Sequence, residues 1–326
     1  MADNSATVTV VILTYNGETY LRRILEKIRT QTGVEDVDVL VIDSGSSDST
    51  LDIVRSFPEV RLHAIPNSEF GHGKTRNLAA TLAKGEFIAY LTHDAVPATD
   101  EWLRELLAPF DLDERIVAVM GKQVPRPGCF PLLKYEIQGV FQGLGPDFGT
   151  SVFYKDDFVK DVGQLNAISF YSDVNSAART DFLRDTIQYR DVRYAEDQIF
   201  GKDLVEAGYR KAYAPRAAVE HSNDLTRREY GRRIFDETVG LRQIDFDIAP
   251  MSRPQQIRLT LRGILGDSAR IARDRGFSRK RKLYWLAFNP SYQVTKWRSY
   301  RASTLVDLDD EDAIRSGSLE HSRKAE

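Results

Sequence analysis

The chain has 326 residues, 42% of them hydrophobic and 29% charged, with a formal net charge of -3. That balance is ordinary for a globular protein in water. It lacks the basic excess of a duplex binder, so nucleic acid is not an expected partner. A single cysteine, Cys129, excludes an internal disulfide and a cysteine-rich zinc site, which makes the cytoplasm the expected compartment. No run approaches the roughly 18 apolar residues of a spanning helix, and Met1-Ala2-Asp3-Asn4-Ser5 lacks the basic start and apolar core of a signal peptide, so none is expected.

In chain order, the first hundred residues alternate strand and helix patterns. Thr7 to Leu13 is a β-branched run. Tyr20, Leu21, Ile24, Leu25 and Ile28 then recur at helical spacing. Val37 to Ile42 reads as a second strand, Ser47 to Ser56 as a short helix, and Val60 to Ile65 as a third strand. A helix over Gly73 to Lys84, a strand over Phe87 to Leu91, a helix over Asp100 to Phe110 and a strand over Ile116 to Met120 follow. Strands alternating with helices predict βαβ units and an α/β fold with a mostly parallel sheet. Pro125 to Asp173, rich in Gly, Pro and aromatics, reads as loops, with a strand over Ala167 to Tyr171. A helix over Tyr194 to Ala207 and a short strand pair near Lys211–Tyr213 and Ala217–Glu220 come next. Helices over Asp224 to Ile244, Pro254 to Ala272 and Lys280 to Trp297 complete the pattern. The predicted organisation is a catalytic domain over 1–245, a basic helical extension over 246–305 and a disordered acidic or polar tail over 306–326.

Candidate site residues cluster where strands end. Asp94 closes the buried run Phe87 to Leu91, and open parallel sheets bind ligands at the carboxyl ends of their strands. A carboxylate there can hold a divalent metal against a substrate diphosphate; a helix N-cap is the competing reading. Thr14-Tyr15-Asn16 ends the first strand. Asp43-Ser44-Gly45-Ser46-Ser47-Asp48 ends the second, where Asp43 suits a pyrimidine imide N–H or a ribose hydroxyl, or else simply forms the turn. Lys74 and Arg76, in Gly71-His72-Gly73-Lys74-Thr75-Arg76-Asn77, place two cations at a helix start, which suits a phosphate. The adjacent Glu196 and Asp197 offer a general base or a helix cap. His221 follows a strand and is either a structural histidine or a third ligand to metal or diphosphate.

Together these residues resemble the inverting family-2 glycosyltransferases of GT-A fold, over about residues 7 to 245. The markers are Thr14-Tyr15-Asn16, Asp43 to Asp48, Thr75-Arg76-Asn77, Asp94 and Glu196-Asp197. Within that family Phe70 to Asn77, Leu91 to Pro97, Gly121-Lys122-Gln123 and His221-Ser222 are similar to bacterial rhamnosyltransferases. The resemblance implies inverting transfer of a deoxyhexose, L-rhamnose from dTDP-L-rhamnose, to a glycan or polyprenyl-linked acceptor in cell-envelope polysaccharide biosynthesis. It implies Asp197 as base with Glu196 beside it. Thr14, Tyr15, Asn16, Asp43, Lys74 and Arg76 are expected on the donor, and Mg2+ or Mn2+ at Asp94 and His221. The usual metal motif has two aspartates flanking one residue; here the first position is Thr92. A sugar-phosphate nucleotidyltransferase and a non-catalytic carbohydrate- or membrane-binding module are the rival classes. Residues 253–301 carry thirteen Lys or Arg against two Asp, interleaved with aromatics, which suits peripheral contact with the inner leaflet of the cytoplasmic membrane.

Overall fold

The computed structural model describes residues 7–159, 161–244 and 246–319. It divides into two compact units, residues 1–127 with 137–222, and residues 128–136 with 223–326.

The first unit begins with β1 (Val8–Thr14), α1 (Glu18–Arg29), β2 (Val37–Asp43), α2 (Thr50–Arg55), β3 (Val60–Ala64), α3 (His72–Leu82) and β4 (Phe87–Thr92). β1, β2, β3 and β4 pair in parallel in the order β3-β2-β1-β4. The apolar run of β1, broken only by Thr9 before its end at Thr14, has a direct cause. Val8, Val10 and Ile12 enter the core on one side, while Val11 enters the core on the other. A strand covered on both faces needs no polar alternation. α1 covers the first of these cores with Leu21, Ile24, Leu25 and Ile28. Truncating one such leucine to alanine costs roughly 2–5 kcal/mol.

Beyond β4 the sheet becomes mixed. After β5 (Val96–Pro97), α4 (Trp102–Leu107) and β6 (Ile116–Val124) come α5 (Pro131–Leu144), β7 (Ser151–Phe153), α6 (Val162–Ser169), β8 (Asn175–Arg179), α7 (Thr180–Asp185), α8 (Glu196–Glu206) and β9 (Arg210–Glu220). β8 lies antiparallel between β4 and β6, and β9 runs parallel to β6 but antiparallel to β5 and β7. The expected parallel sheet therefore holds for its first half only. The expected strand over Ala167 to Tyr171 is instead the end of α6 and the turn after it. The strand in that region is β8, whose sequence Asn-Ser-Ala-Ala-Arg has none of the β-branched residues by which strands are recognised. The expected strand pair near 211 and 217 is the single strand β9.

The second unit holds α9 (Arg227–Gln243), α10 (Arg253–Arg273), α11 (Arg279–Leu305) and α12 (Glu311–Gly317). Its helix starts are written in the sequence. Thr226 with Glu229, and Ser252 with Gln255, form capping boxes, and Ser278 caps α11. Tyr230 of α9 packs with Phe130, Trp285 and Tyr292, so α9 belongs with the C-terminal helices and the division falls near 222, not 245. The tail is ordered at least through α12, whose Ile314 is buried against Phe235 and Val239; residues 320–326 lie outside the described residues. No described helix is long and apolar enough to cross a membrane.

Candidate active site

Two polar clusters form at the carboxyl edge of the parallel strands. β1, β2 and β4 are in register so that Thr14 faces Asp43 and Leu13 faces Thr92. Their ends, and Asp94 just beyond, therefore share one edge.

Asp43 shapes this edge from within. It is 1% exposed. Its oxygens accept from Thr14 Oγ1 at 2.9 Å, Gly45 N at 3.0 Å, Ser46 N at 2.9 Å and the Ser46 hydroxyl. Those four bonds use the carboxylate's acceptor positions. In this arrangement Asp43 braces the turn, and its oxygens, expected from the sequence to meet a nucleotide, are engaged by Thr14, Gly45 and Ser46. Gly45, with φ of 88°, supplies the left-handed residue that the turn requires. Asn16 is similarly engaged: it stands at φ 49° and its Oδ1 accepts from Ser47 N at 2.9 Å. Thr14 is buried, whereas Tyr15 is exposed at the same edge.

Asp94 anchors the first cluster. Its Oδ2 lies 3.3 Å from His221 Nε2, and its Oδ1 accepts from the Thr92 hydroxyl at 2.7 Å. Thr92, standing where a second aspartate is usual in the motif, thus serves the remaining one. Burial alone raises the Asp94 pKa, but the hydrogen bond and charge of His221 and the Thr92 hydroxyl outweigh it and hold the carboxyl well below its ordinary range. The other ring nitrogen of His221 meets Gln123 Oε1 at 2.9 Å. Arg126, which pattern reading passed over, ties the backbone together: its guanidinium donates to the carbonyls of Asp94 and Ser222 and lies 3.9 Å from the Tyr20 ring centroid. The sequence signal was a lone arginine between Pro125 and Pro127 just after a strand.

Arg76 anchors the second cluster. It is 5% exposed, its Nε lies 3.0 Å from Asp173 Oδ2, and its Nη1 pairs with Glu196. Burial opposes its charge, but Asp173 and Glu196 outweigh that and raise its pKa. Arg76 is therefore committed to two buried carboxylates and is not an open cation for a phosphate. The glycine before it has a packing reason too, since a Cβ on Gly73 would stand 2.2 Å from the Arg190 carbonyl oxygen. Of the two cations expected there, Lys74 is the exposed one. Glu196 is bound to Arg76, and that charge, opposing burial, lowers its pKa. Asp173 also accepts from Ser176 Oγ at 2.6 Å and Tyr189 Oη at 3.0 Å, and burial outweighs Arg76 to raise its pKa. Asp173 had no motif to announce it.

Asp197, at the start of α8, makes no ion pair in this network. Its Oδ1 accepts from Gln198 N at 2.8 Å and its Oδ2 from Asp173 N at 3.3 Å. Desolvation, then the charges of Glu196 and Asp173, push its pKa up to about 8. The residue before the helix, Ala195, is held at φ 62°, a strained conformation for a residue with a Cβ. Gln123 joins the clusters, because its Nε2 donates to Ser172 Oγ at 3.1 Å, beside Asp173, while its Oε1 meets His221. Among the described residues no group of three or more His, Cys, Asp or Glu side chains is gathered for a metal.

Over 237 residues the chain is 31% identical to the O-antigen chain rhamnosyltransferase RfbN of Salmonella typhimurium, covering 71% of each. It is 30% identical over 239 residues to WbaN of Salmonella anatum, also named an O-antigen chain rhamnosyltransferase, again with 71% of each covered. Among solved structures it resembles Staphylococcus aureus TarS 1-349 in complex with UDP-GlcNAc, with TM-score 0.53, 18% identity, and 95% of this chain and 79% of that one covered. It also resembles the mannosyltransferase PcManGT of Pyrobaculum calidifontis in complex with GDP-Man and Mn2+, with TM-score 0.55, 18% identity, and coverage of 99% and 88%. These neighbours identify the fold as GT-A-like. Residues 9–184 match glycosyl transferase family 2. Glycosyl transfer is thereby selected over the nucleotidyltransferase and binding-module readings, and the chain belongs to glycosyl transferase family 2.

Proposed function

We propose that the chain transfers L-rhamnose from dTDP-L-rhamnose to a glycan or polyprenyl-linked acceptor, by a single displacement that inverts the anomeric centre. The relatives named as O-antigen rhamnosyltransferases support the sugar. The mechanism is supported by the contrast at one edge between Asp94, which faces the His221 ring and the Thr92 hydroxyl, and Asp197, which accepts from the Gln198 and Asp173 backbone N–H groups and whose pKa burial pushes up to about 8.

The acceptor oxygen attacks the sugar C1 while the C1–O bond to the diphosphate breaks. The hydroxyl proton passes to Asp197, and the bonding electron pair leaves with dTDP. A base whose pKa lies near the working pH is suited to that proton transfer. Glu196 and Asp173, paired with Arg76, hold the start of α8 and so position Asp197. Lys74 and the exposed Tyr15 are the donor contacts available at the edge, for phosphate and base respectively. Asp43, Asn16 and Thr14 support the donor indirectly, by shaping the turn beneath it.

Asp94, with His221 beside it at 3.3 Å, would hold a divalent ion, His221 then being neutral at Nε2. Such an ion supplies charge neutralisation on the departing diphosphate. Binding of dTDP-L-rhamnose, measured by thermal shift against UDP- and GDP-sugars with and without Mg2+ or Mn2+, tests the donor. NMR of the product anomer tests inversion. Selective stabilisation by a UDP- or GDP-sugar overturns the donor, and a retained anomer overturns the mechanism.

A further inference from the structure

The second unit carries an exposed apolar surface on its two longest helices. α10 and α11 form an antiparallel hairpin. Met251 N donates to Thr304 Oγ1, Asn289 Nδ2 to the Ile264 carbonyl, Gln293 Nε2 to Asp267, and Lys282 Nζ to the Ala272 carbonyl. These contacts fix which side of each helix faces the other. At about 100° per residue, Ile257, Leu261 and Leu265 lie roughly a quarter turn round α10 from that seam. Leu283 and Val294 lie about a quarter turn round α11, in the same rotational sense. Because the helices are antiparallel, equal offsets of the same sense fall on the same side. The result is one apolar stripe across both helices. It is well exposed: Leu265 is 73% exposed and Leu283 69%. Tyr284 and Phe288 are exposed further round α11.

The charge around the stripe is of one sign. Arg258 and Arg262 follow Ile257 and Leu261 directly, and Arg279, Lys280 and Arg298 stand exposed on α11. The one acidic residue of the two helices, Asp267, is turned into the seam, bonded to Gln293 and Arg270. Of the basic run over 279–282, Arg281 and Lys282 are occupied by the Cys129 and Ala272 carbonyls, so that run alone is not the surface.

We propose that this face docks on an anionic phospholipid bilayer, with Ile257, Leu261, Leu265, Leu283 and Val294 in the acyl boundary and the flanking cations at the headgroups. An apolar stripe bordered by Arg and Lys is the pattern of a helix lying in the interface plane. A second copy of the chain is disfavoured as occupant, because face-to-face pairing sets cations against cations. The proposal is independent of which sugar is transferred.

Flotation of the full chain with phosphatidylcholine vesicles, alone or doped with phosphatidylglycerol, tests it. The chain floats only with the anionic vesicles, and less at high salt. L261E/L265E abolishes flotation. R258Q/R262Q weakens partitioning on the order of thirtyfold, from about 1 kcal/mol for each cation near the surface. Both variants keep the melting temperature and the turnover on a soluble acceptor, because these side chains are exposed and outside the site. Three outcomes overturn the proposal: no flotation at low salt, equal flotation with neutral vesicles, or a dimer in sedimentation that L261E/L265E converts to monomer.

Discussion

Replacing Arg76 by methionine separates a buried structural cation from a phosphate ligand. The substitution keeps most of the side-chain volume and removes the charge. It leaves Asp173, with a side chain 0% exposed, and Glu196, with a side chain 8% exposed, facing each other without their shared counterion. Removing one partner of a buried ion pair costs roughly 3–5 kcal/mol, and here two carboxylates lose the same partner. The loss depends on pH. Glu196 has a folded pKa below its ordinary value, so its contribution is complete above about 4.5 and disappears as pH falls through the lower folded value. The stability gap between wild type and Arg76→Met is therefore widest at pH 7 to 8 and narrows as pH falls, because the abandoned buried carboxylates take up protons above their ordinary values while Glu196 of the wild type stays ionised. Thermal melts across pH, with donor KM measured in parallel, decide the matter. Adding Asp173→Asn and Glu196→Gln to Arg76→Met restores much of the melting temperature, because it removes the uncompensated charges. A variant that melts like wild type and only raises donor KM refutes this account and returns Arg76 to the diphosphate.

Asp94→Asn lowers turnover on the order of a hundredfold or more with little change in melting, as expected for lost charge stabilisation of a leaving group; unchanged turnover at saturating donor removes Asp94 from the reaction. Asp197→Asn abolishes transfer but keeps donor affinity by calorimetry, and a loss of donor binding instead places Asp197 in the donor pocket. Ala195→Gly relieves the left-handed strain before α8 by about 1 kcal/mol, seen as a higher melting temperature, and a lower one shows that the φ value is not a source of strain. Arg126→Met, which unties the Asp94 and Ser222 carbonyls, lowers kcat more than it raises donor KM; the opposite split makes Arg126 a donor contact.

The parallel half of the sheet was legible because β1, β2 and β4 are covered on both faces and so are apolar over most of their length. The mixed half was not. β8 is short and built from small residues, and its place between β4 and β6 is set by pairing, which leaves no periodicity. The site divides in the same way. Asp94 and His221 follow β4 and β9, and Asp197 opens α8, positions that strand and helix patterns mark in the sequence. Asp43, Asn16 and Arg76 look alike in sequence, polar groups beside glycines at strand ends or helix starts, yet their side chains are spent on backbone N–H groups and buried carboxylates. Which polar group is spent and which is free depends on partners such as Asp173, 97 positions from Arg76, and no local pattern carries that information.

The same reasoning explains why two carboxylates on one sheet edge can take opposite parts. Asp94 faces an imidazole and a hydroxyl, so its charged form is favoured across the physiological range. Asp197 is buried and faces two other carboxylates, so its charged form is opposed and its pKa is pushed up to about 8. Environments that push paired carboxyl groups apart assign their roles: the permanently ionised one suits cations and the leaving diphosphate, and the poised one suits proton transfer. Because kcat/KM reports the ionisation of the free enzyme, it should rise with pH on an acid limb that ends near 8. The folded pKa of Asp197 lies above its unfolded value. Its protonation therefore stabilises the fold fully below about pH 4, and that contribution is lost as pH rises through about 8. Asp197→Asn keeps a neutral group at that place and escapes the loss, so its melting advantage over wild type should grow from pH 4 to pH 8. A kcat/KM profile flat from pH 6 to 9, together with a melting difference that does not change with pH, would show that Asp197 is ionised in the free enzyme and that another group takes the acceptor proton.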